Sequence, residues 1–102
     1  MYEITYLVEA EEDLANLSDE ILSEVLNYIE KYKTEPLKYG KRLYDQKDTK
    51  LKGYFATYVA NATYRIVYRI EKCVIKIVEV VAVGKREGKE VYLEAHKRIH
   101  KQ

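Results

Sequence analysis

Residues 63–83 decide the fold of this chain, and they read TYRIVYRIEKCVIKIVEVVAV. Two runs rich in Val, Ile and Tyr, 63–70 and 73–83, are separated by a short polar break at Glu71–Lys72. Residues with β-branched or aromatic side chains favour strands, and a nearly continuous Val/Ile run is typical of a central strand. The stretch therefore predicts two neighbouring strands joined by a tight turn.

Two further strands are predicted outside this pair. Residues 54–60 form another strand-like run, and the break at Ala60–Ala62 suits a hairpin into the strand that follows. Near the amino terminus, residues 2–8 begin with an apolar–polar alternation of period two.

The helices are predicted from a different period. Apolar residues recur at helical spacing over 10–32, interrupted near Ser18, which resembles an N-cap for the second helix. Glu35–Pro36 ends that helix, because a residue before proline disfavours helical dihedral angles. Residues 90–101 return to helical spacing at the end of the chain.

The order strand, helix, helix, strand, strand, strand, helix predicts an α+β fold. A helical hairpin packs on a mainly antiparallel four-stranded sheet, and a C-terminal helix follows. We expect residues 1–102 to form a single domain, in which 36–53 is a solvated lysine-rich connection or, alternatively, part of an RNA or partner surface. The residues expected in the core are Leu14, Leu17, Ile21, Val25, Ile29, Ile66, Val78 and Val80.

Composition limits the possible functions. The net charge of +1 is not that of a strongly basic nucleic-acid binder, but residues 1–30 contain no lysine or arginine, so a basic face is possible in the remainder. No apolar run is long enough to span a membrane. Cys73 has no partner for an internal disulfide, and we expect it to be at least half-buried. These features are those of a cytoplasmic protein without a membrane partner.

Three residues are candidates for a functional site. Arg65 lies on a predicted strand, Arg86 follows the end of the next strand, and Tyr92 lies on the last helix. An arginine provides a planar and permanently charged group for a phosphate, and a tyrosine can stack on a base. No metal-ligand spacing is present, so neither a metal nor another cofactor is expected.

Several segments resemble the RelE/ParE superfamily of toxins, and within it the RelE branch. Residues 83–87 (VGKRE), followed by 90–92 (EVY), look very close to the end of RelE toxins. Residues 64–68 (YRIVY) are similar to the arginine-bearing strand of the family, and 51–55 (LKGYF) resembles the segment that opens the preceding strand.

The resemblance implies the toxin of a type II toxin–antitoxin system. The RelE branch implies an mRNA endoribonuclease, either ribosome-dependent or acting on free RNA, that would inhibit translation by metal-independent attack of the 2′-hydroxyl on the phosphate. Its partners are a cognate antitoxin, mRNA and the ribosome. Carried over to this chain, Arg65 would neutralise the phosphate, Arg86 would stabilise the transition state or protonate the leaving group, and Tyr92 would position the scissile nucleotide.

The chain departs from the RelE pattern on the strand of residues 54–60. Ala56 and Tyr58 stand where ribonucleolytic relatives often have basic residues, one of them a candidate general base. Other candidates for acid–base chemistry or RNA binding are Lys52, Lys85, Glu87 and His96. The departure favours two alternatives, namely a ParE-like toxin that inhibits DNA gyrase without nuclease activity and an inactive relative that only binds the antitoxin.

Each of the three main candidates also has a purely structural interpretation. Arg65 could pair across the sheet with Glu79, and Arg86 could be a basic turn residue that ends a strand. Tyr92 could be an apolar anchor that holds the last helix on the sheet.

Overall fold

The described elements confirm the predicted α+β class. A computed structural model describes residues 1–101, and Gln102, the last residue of the predicted domain, lies outside the described residues. The elements in chain order are β1 (Glu3–Tyr6), α1 (Val8–Ala15), α2 (Asp19–Tyr32), β2 (Lys41–Arg42), β3 (Tyr54–Val59), β4 (Tyr64–Lys72), β5 (Lys76–Lys85), a 3₁₀ turn (Glu87–Lys89) and α3 (Glu90–Ile99). None of the described helices has the length and apolar character needed to cross a membrane.

The sheet has five strands in the order β1-β5-β4-β3-β2, one more than the four predicted. Strands β1 and β5 are parallel and the other pairs are antiparallel, so the mainly antiparallel character is confirmed. The additional strand, β2, lies in the segment predicted to be a connection. Lys41 and Arg42 pair with Ala56 and Phe55 through the backbone and expose their own side chains, so no apolar pattern marks this strand in the sequence.

The turn between β4 and β5 lies later in the chain than predicted. Strand β4 continues to Lys72, which pairs with Lys76, so residues 73–75 form the tip of the hairpin. Cys73 is exposed there, and the prediction that it is at least half-buried was wrong. A hairpin tip has no neighbouring element to cover it, although Val74 and Ile75 are apolar and also exposed.

Helices α1 and α2 cover one face of the sheet. Ser18 caps α2 as predicted, because its Oγ accepts a hydrogen bond from the Ile21 N–H at 3.4 Å. The helix ends at Tyr32, before Pro36. Of the predicted core residues, Val25, Ile29, Ile66, Val78 and Val80 are buried, whereas Leu14, Leu17 and Ile21 are half-buried and pack against them.

Buried hydroxyl groups attach the segment before β2 to this core. The Tyr32 hydroxyl donates to Thr57 Oγ1, which donates to the Tyr39 carbonyl at 2.9 Å. The Tyr68 hydroxyl donates to the Pro36 carbonyl at 2.6 Å. Burial raises the pKa of Tyr68 to about 12 and raises that of Tyr32 as well, so both phenols remain neutral donors.

Helix α3 covers the opposite face. Its residues Val91 and Ala95 pack in one apolar cluster with Val67 and Val81. Ile66, which precedes Val67 on β4, packs in the other cluster, with Val25 and Ile29 of α2. Successive residues of a strand point to opposite faces, so the two clusters lie on the two sides of the sheet.

An ion pair fixes the far end of α3. Arg98 donates to both carboxylate oxygens of Asp13, at 2.7 and 3.1 Å, and to the Val81 carbonyl at 3.0 Å. Asp13 also accepts the Val83 N–H at 3.0 Å. Because these bonds join α1 and α3 to β5, they hold α3, and with it Tyr92, in place on the sheet.

Candidate functional site

A cleft of about 400 Å³ opens beside the first turn of α3. It lies between the 3₁₀ turn, the segment before β3 and the exposed Tyr58 of β3. The residues that line it are Leu43, Tyr44, Gln46, Thr49, Leu51, Tyr58, Arg86, Gly88, Lys89 and Tyr92. Two of the three predicted site residues, Arg86 and Tyr92, therefore lie together in one cleft.

Arg65 lies behind this cleft rather than in it, with 4% of the residue exposed. Its guanidinium stacks on the Tyr58 ring at 3.6 Å from the ring centroid, and its Nε donates to the Tyr92 hydroxyl at 3.2 Å. Its Nη1 donates to the carbonyls of Ala62 at 2.5 Å and Tyr64 at 3.2 Å. In this arrangement the guanidinium joins the two tyrosines.

The structural alternative proposed for Arg65 was wrong. Glu79 accepts a hydrogen bond from Arg69 at 2.8 Å, and Glu71 binds the same arginine at 2.7 Å. Hydrogen bonding to Glu79 raises the pKa of Arg69, since it stabilises the charged form. Arg65 instead pairs in register with Tyr58 on one side and Gly84 on the other.

Arg86 is exposed at the end of β5, just before the 3₁₀ turn. Its backbone N–H donates to the Thr63 carbonyl at 2.9 Å, which fixes the main chain. Within residues 1–101 its guanidinium has no ion pair or hydrogen-bond partner, so it can bind an anion that enters the cleft.

Tyr92 fits both interpretations made from the sequence, namely an apolar anchor of α3 and a residue of the functional site. Its ring packs against the apolar cluster that contains Leu51 and Val67, as an anchor of α3 would. Its half-buried side chain also lines the cleft, and its hydroxyl accepts the bond from Arg65. The ring is consequently held in a defined position at the cleft wall.

Three of the other candidates lie outside the cleft. Lys85 and Glu87 are exposed and line a neighbouring cavity of about 390 Å³, which shares Arg86 with the cleft. Lys52 is exposed, and its backbone N–H donates to the Asp45 carboxylate at 3.0 Å.

His96 is engaged with the backbone of the segment that lines the cleft. Its Nδ1 accepts the Lys50 N–H at 2.9 Å, and His100 Nε2 lies 3.1 Å from the Lys50 carbonyl. The centroids of the two rings are 4.5 Å apart. Together the rings hold the backbone of Lys50, which lies between the buried residues Thr49 and Leu51. This contact gives His96 a structural role at the back of the loop.

The two positions at which the chain departs from the RelE pattern differ from each other. Ala56 is 1% exposed and borders a cavity at the β2–β3 edge of the sheet, outside the cleft. Tyr58 is 41% exposed and forms part of the cleft wall. An aromatic ring, stacked on a buried guanidinium, thus occupies a place where a cation was expected.

Sequence reasoning did not identify Lys89 as a site residue. Its Nζ donates to Gln46 Oε1 at 3.3 Å across the cleft, and its backbone has a φ of 60°. Gly88 before it has a φ of 62°, so the chain reverses through two left-handed residues. The Gly88–Lys89 pair suggested a turn that carries a lysine, but the sequence does not show that this lysine side chain enters the cleft.

The chemistry of the cleft is that of cations and phenols. Its lining within the described residues contains Arg86, Lys89 and three tyrosines, and no carboxylate or imidazole. No three histidine, cysteine or carboxylate side chains of residues 1–101 come together in a way that could hold a metal ion. Such a lining fits a polyanion that carries aromatic bases.

Comparison with solved structures identifies similar folds. The RelBE2 toxin–antitoxin complex from Mycobacterium tuberculosis includes a chain that is 30% identical, with 83% of this chain and 98% of that one covered at a TM-score of 0.69. A mutant of the E. coli toxin RelE in the free state is 24% identical over 96% and 97% of the two chains, with a TM-score of 0.73. A YoeB/ParE toxin from Agrobacterium tumefaciens is 16% identical over 82% and 98%, with a TM-score of 0.67. No protein-family model and no curated protein matches the chain.

Proposed function

The chain belongs to the RelE/ParE superfamily of toxins, and from this membership we propose that it is an mRNA endoribonuclease of a type II toxin–antitoxin system. The observation that carries the proposal is the cleft in which an unpaired Arg86 lies beside Tyr92 and Tyr58. A fixed cation next to aromatic rings is suited to a phosphate and its attached base.

In the proposed reaction the RNA supplies its own nucleophile. The 2′-hydroxyl attacks the adjacent phosphorus, the bond to the 5′-oxygen breaks, and a cyclic phosphate and a 5′-hydroxyl form. Arg86 stabilises the charge that develops on the phosphate, which is the type of interaction that contributes most to many enzymes. Tyr92 stacks on or positions the nucleotide, and Arg65 holds Tyr92 from behind.

The same cleft supports the ribosome dependence of the reaction. Because its lining has no carboxylate or imidazole, Lys89 and the tyrosines are the groups in the cleft that could exchange a proton, and the chain contributes mainly orientation and charge stabilisation. We infer that cleavage is fastest on mRNA that the ribosome already holds in a bent, splayed form, where orientation contributes most.

The substitution Arg86→Ala tests the assignment. Since this side chain is exposed and unpaired, its removal is expected to lower mRNA cleavage by about 10²–10³-fold with an unchanged melting temperature. Cleavage is measured by primer extension on transcripts from a translation extract. Arg42→Ala, which removes an exposed arginine outside the cleft, is the matched control. Equal cleavage by the two variants would exclude the proposed role of Arg86.

A second candidate function is supported by positions 56 and 58. Neither Ala56 nor Tyr58 provides a cation, which is the pattern expected of a ParE-like toxin that inhibits DNA gyrase or of an inactive relative. A gyrase supercoiling assay beside the primer extension separates the three possibilities. Inhibited supercoiling with intact transcripts supports the ParE-like function, and no effect in either assay supports an inactive relative.

We also propose a cognate antitoxin as partner. Solved neighbours include RelBE toxin–antitoxin complexes, and every lysine and arginine of this chain lies after residue 30. An acidic, partly disordered segment of a small protein would complement that charge and become ordered on binding. Co-purification with the product of the neighbouring reading frame tests this, and the absence of a complex would contradict it.

A further inference from the structure

A second cavity, of about 350 Å³, adjoins the cleft at the β2–β3 edge of the sheet. It shares Tyr58 with the cleft, so the two form one continuous surface divided by a single ring. The residues that line it are Tyr28, Lys38, Tyr39, Gly40, Lys41, Ala56, Thr57 and Tyr58. Its volume is within the range of about 300–1,000 Å³ that is usual for small-molecule sites.

Lysine side chains lie close to tyrosine rings in and beside this cavity. Tyr28 and Tyr39 meet edge to face at 6.1 Å, and Lys31 Nζ lies 5.1 Å from the centroid of each ring. Lys41 Nζ lies 5.0 Å from the centroid of the Tyr58 ring. Neither Lys31 nor Lys41 forms an ion pair with a carboxylate in residues 1–101, so their charge is available to a ligand.

Tyr58 is supported as a rigid platform. The Arg65 guanidinium lies on its ring from β4, the strand on one side of β3, while Lys41 approaches from β2 on the other side. Arg65 is itself fixed by its bonds to Tyr92 and Ala62, whereas Lys41 is exposed and can move. A ring held in this way loses little freedom when a base stacks on it.

We propose that this cavity is a subsite for a nucleotide of single-stranded RNA that flanks the nucleotide in the cleft. A base stacks on Tyr58 in place of Lys41, which swings out to the adjoining phosphate. Single-strand binding surfaces combine aromatic rings with a positively charged groove in this way. The subsite rests on the proposed function, because the reacting phosphate in the cleft defines the strand that continues into it.

The aromatic content favours RNA over an acidic peptide as the occupant. Carboxylates would satisfy the lysines and leave the exposed face of Tyr58 without a partner, whereas a nucleotide uses both groups at once. Lys38, which lines the cavity, has an acidic neighbour: its Nζ lies 3.9 Å from a Glu35 carboxylate oxygen, in an exposed ion pair that contributes little to stability.

The test measures binding without cleavage. A fluorescein-labelled, 2′-O-methylated single-stranded oligonucleotide cannot undergo attack by its own 2′-oxygen, and its Kd is obtained by anisotropy at several salt concentrations. Tyr58→Leu is expected to weaken binding about 5- to 150-fold, and Tyr58→Phe less than about twofold, because stacking needs the ring. Lys41→Gln is expected to reduce the slope of log Kd against log salt by about 0.7.

The matched control is at the opposite edge of the sheet. Lys76 Nζ lies 5.8 Å from the Tyr2 ring, so Lys76→Gln removes the same charge from the same kind of pair beside β1. This variant is expected to bind as the wild type does. Wild-type affinity and salt slope in Tyr58→Leu and Lys41→Gln would overturn the subsite. The subsite would also be overturned if these two variants kept their RNA binding but lost binding of an acidic antitoxin peptide, because the cavity would then be a protein-binding site.

The subsite and the nuclease can fail separately. If wild-type protein leaves transcripts intact and the variants still show the expected binding pattern, the subsite stands and the nuclease proposal falls. If wild type and Lys41→Gln cut transcripts equally, and Lys41→Gln keeps the wild-type Kd and salt slope, the nuclease stands and the subsite falls. Thermal melts of each variant ensure that only folded protein is compared.

Discussion

Replacing Arg65 by lysine separates the two roles that this residue could have. Lysine keeps the positive charge, so a residue whose function is to neutralise a phosphate should tolerate the change at least in part. The structure instead shows a planar group that stacks on Tyr58 and bonds to Tyr92 and Ala62. Lysine has no planar fork, and we therefore expect Arg65→Lys to be strongly damaging.

The size of the effect follows from the contacts. The bonds to Tyr92 at 3.2 Å and to Ala62 at 2.5 Å come from different nitrogens, and one ammonium cannot occupy both positions. A lost charge-assisted hydrogen bond costs about 1.5–3 kcal/mol. The lost stack on Tyr58 costs about 0.5–2 kcal/mol. The free energy of unfolding should fall by about 2–5 kcal/mol, and misplacement of Tyr92 should slow cleavage by about 10²-fold.

Urea unfolding and primer extension measure the two effects. The matched control is Arg69→Lys on the same strand, where the side chain is 34% exposed and pairs with Glu79 and Glu71. Partly exposed ion pairs contribute at most about 1 kcal/mol, so the control should remain near wild type. If Arg65→Lys also unfolds and cleaves like the wild type, the reasoning that Arg65 acts by holding the tyrosines is refuted.

Three further predictions concern stability. Asp13→Ala removes both carboxylate bonds of Arg98, whose side chain is 9% exposed, and leaves it the Val81 carbonyl and Glu94 at 3.4 Å, so the free energy of unfolding in urea should fall by about 1.5–3 kcal/mol; a loss under about 1 kcal/mol would contradict this. Gly40→Ala places a methyl carbon 2.0 Å from the Tyr68 hydroxyl oxygen, so the melting temperature should drop by the equivalent of about 1–3 kcal/mol, and an unchanged value would be inconsistent with that contact. Burial raises the pKa of Tyr68 from 10.0 to about 12. The stabilisation of the fold by the neutral Tyr68 hydroxyl is therefore complete below pH 10 and is lost as the pH rises through 12. Tyr68→Phe should weaken this alkaline loss of stability, whereas Tyr44→Phe, at a residue that is 68% exposed, should not; equal pH profiles would show that Tyr68 is not responsible.

The main elements could be predicted because they follow from local periodicity. Alternation and β-branched runs marked β1, β3, β4 and β5, and the helical repeat with Ser18 as cap marked α2. Strand β2 could not be predicted in this way. Its two exposed residues are in a strand only because the backbone of β3 offers free hydrogen-bonding groups beside them.

The candidate site residues could also be proposed from the sequence, but their arrangement could not. The resemblance pointed to Arg65, Arg86 and Tyr92, and the last two do lie in one cleft. The sequence could not show that Arg65 is buried behind them, since burial depends on which rings pack over it.

The sequence by itself determined the class of fold, the family and the candidate site residues, because periodicity and motif spacing are properties of the chain. Only the tertiary structure decided that Tyr58 stacks on Arg65, that His96 binds a backbone N–H instead of facing the cleft, and that Lys89 reaches it. These contacts join residues far apart in sequence. They depend on strand register and helix packing, and no local pattern specifies either.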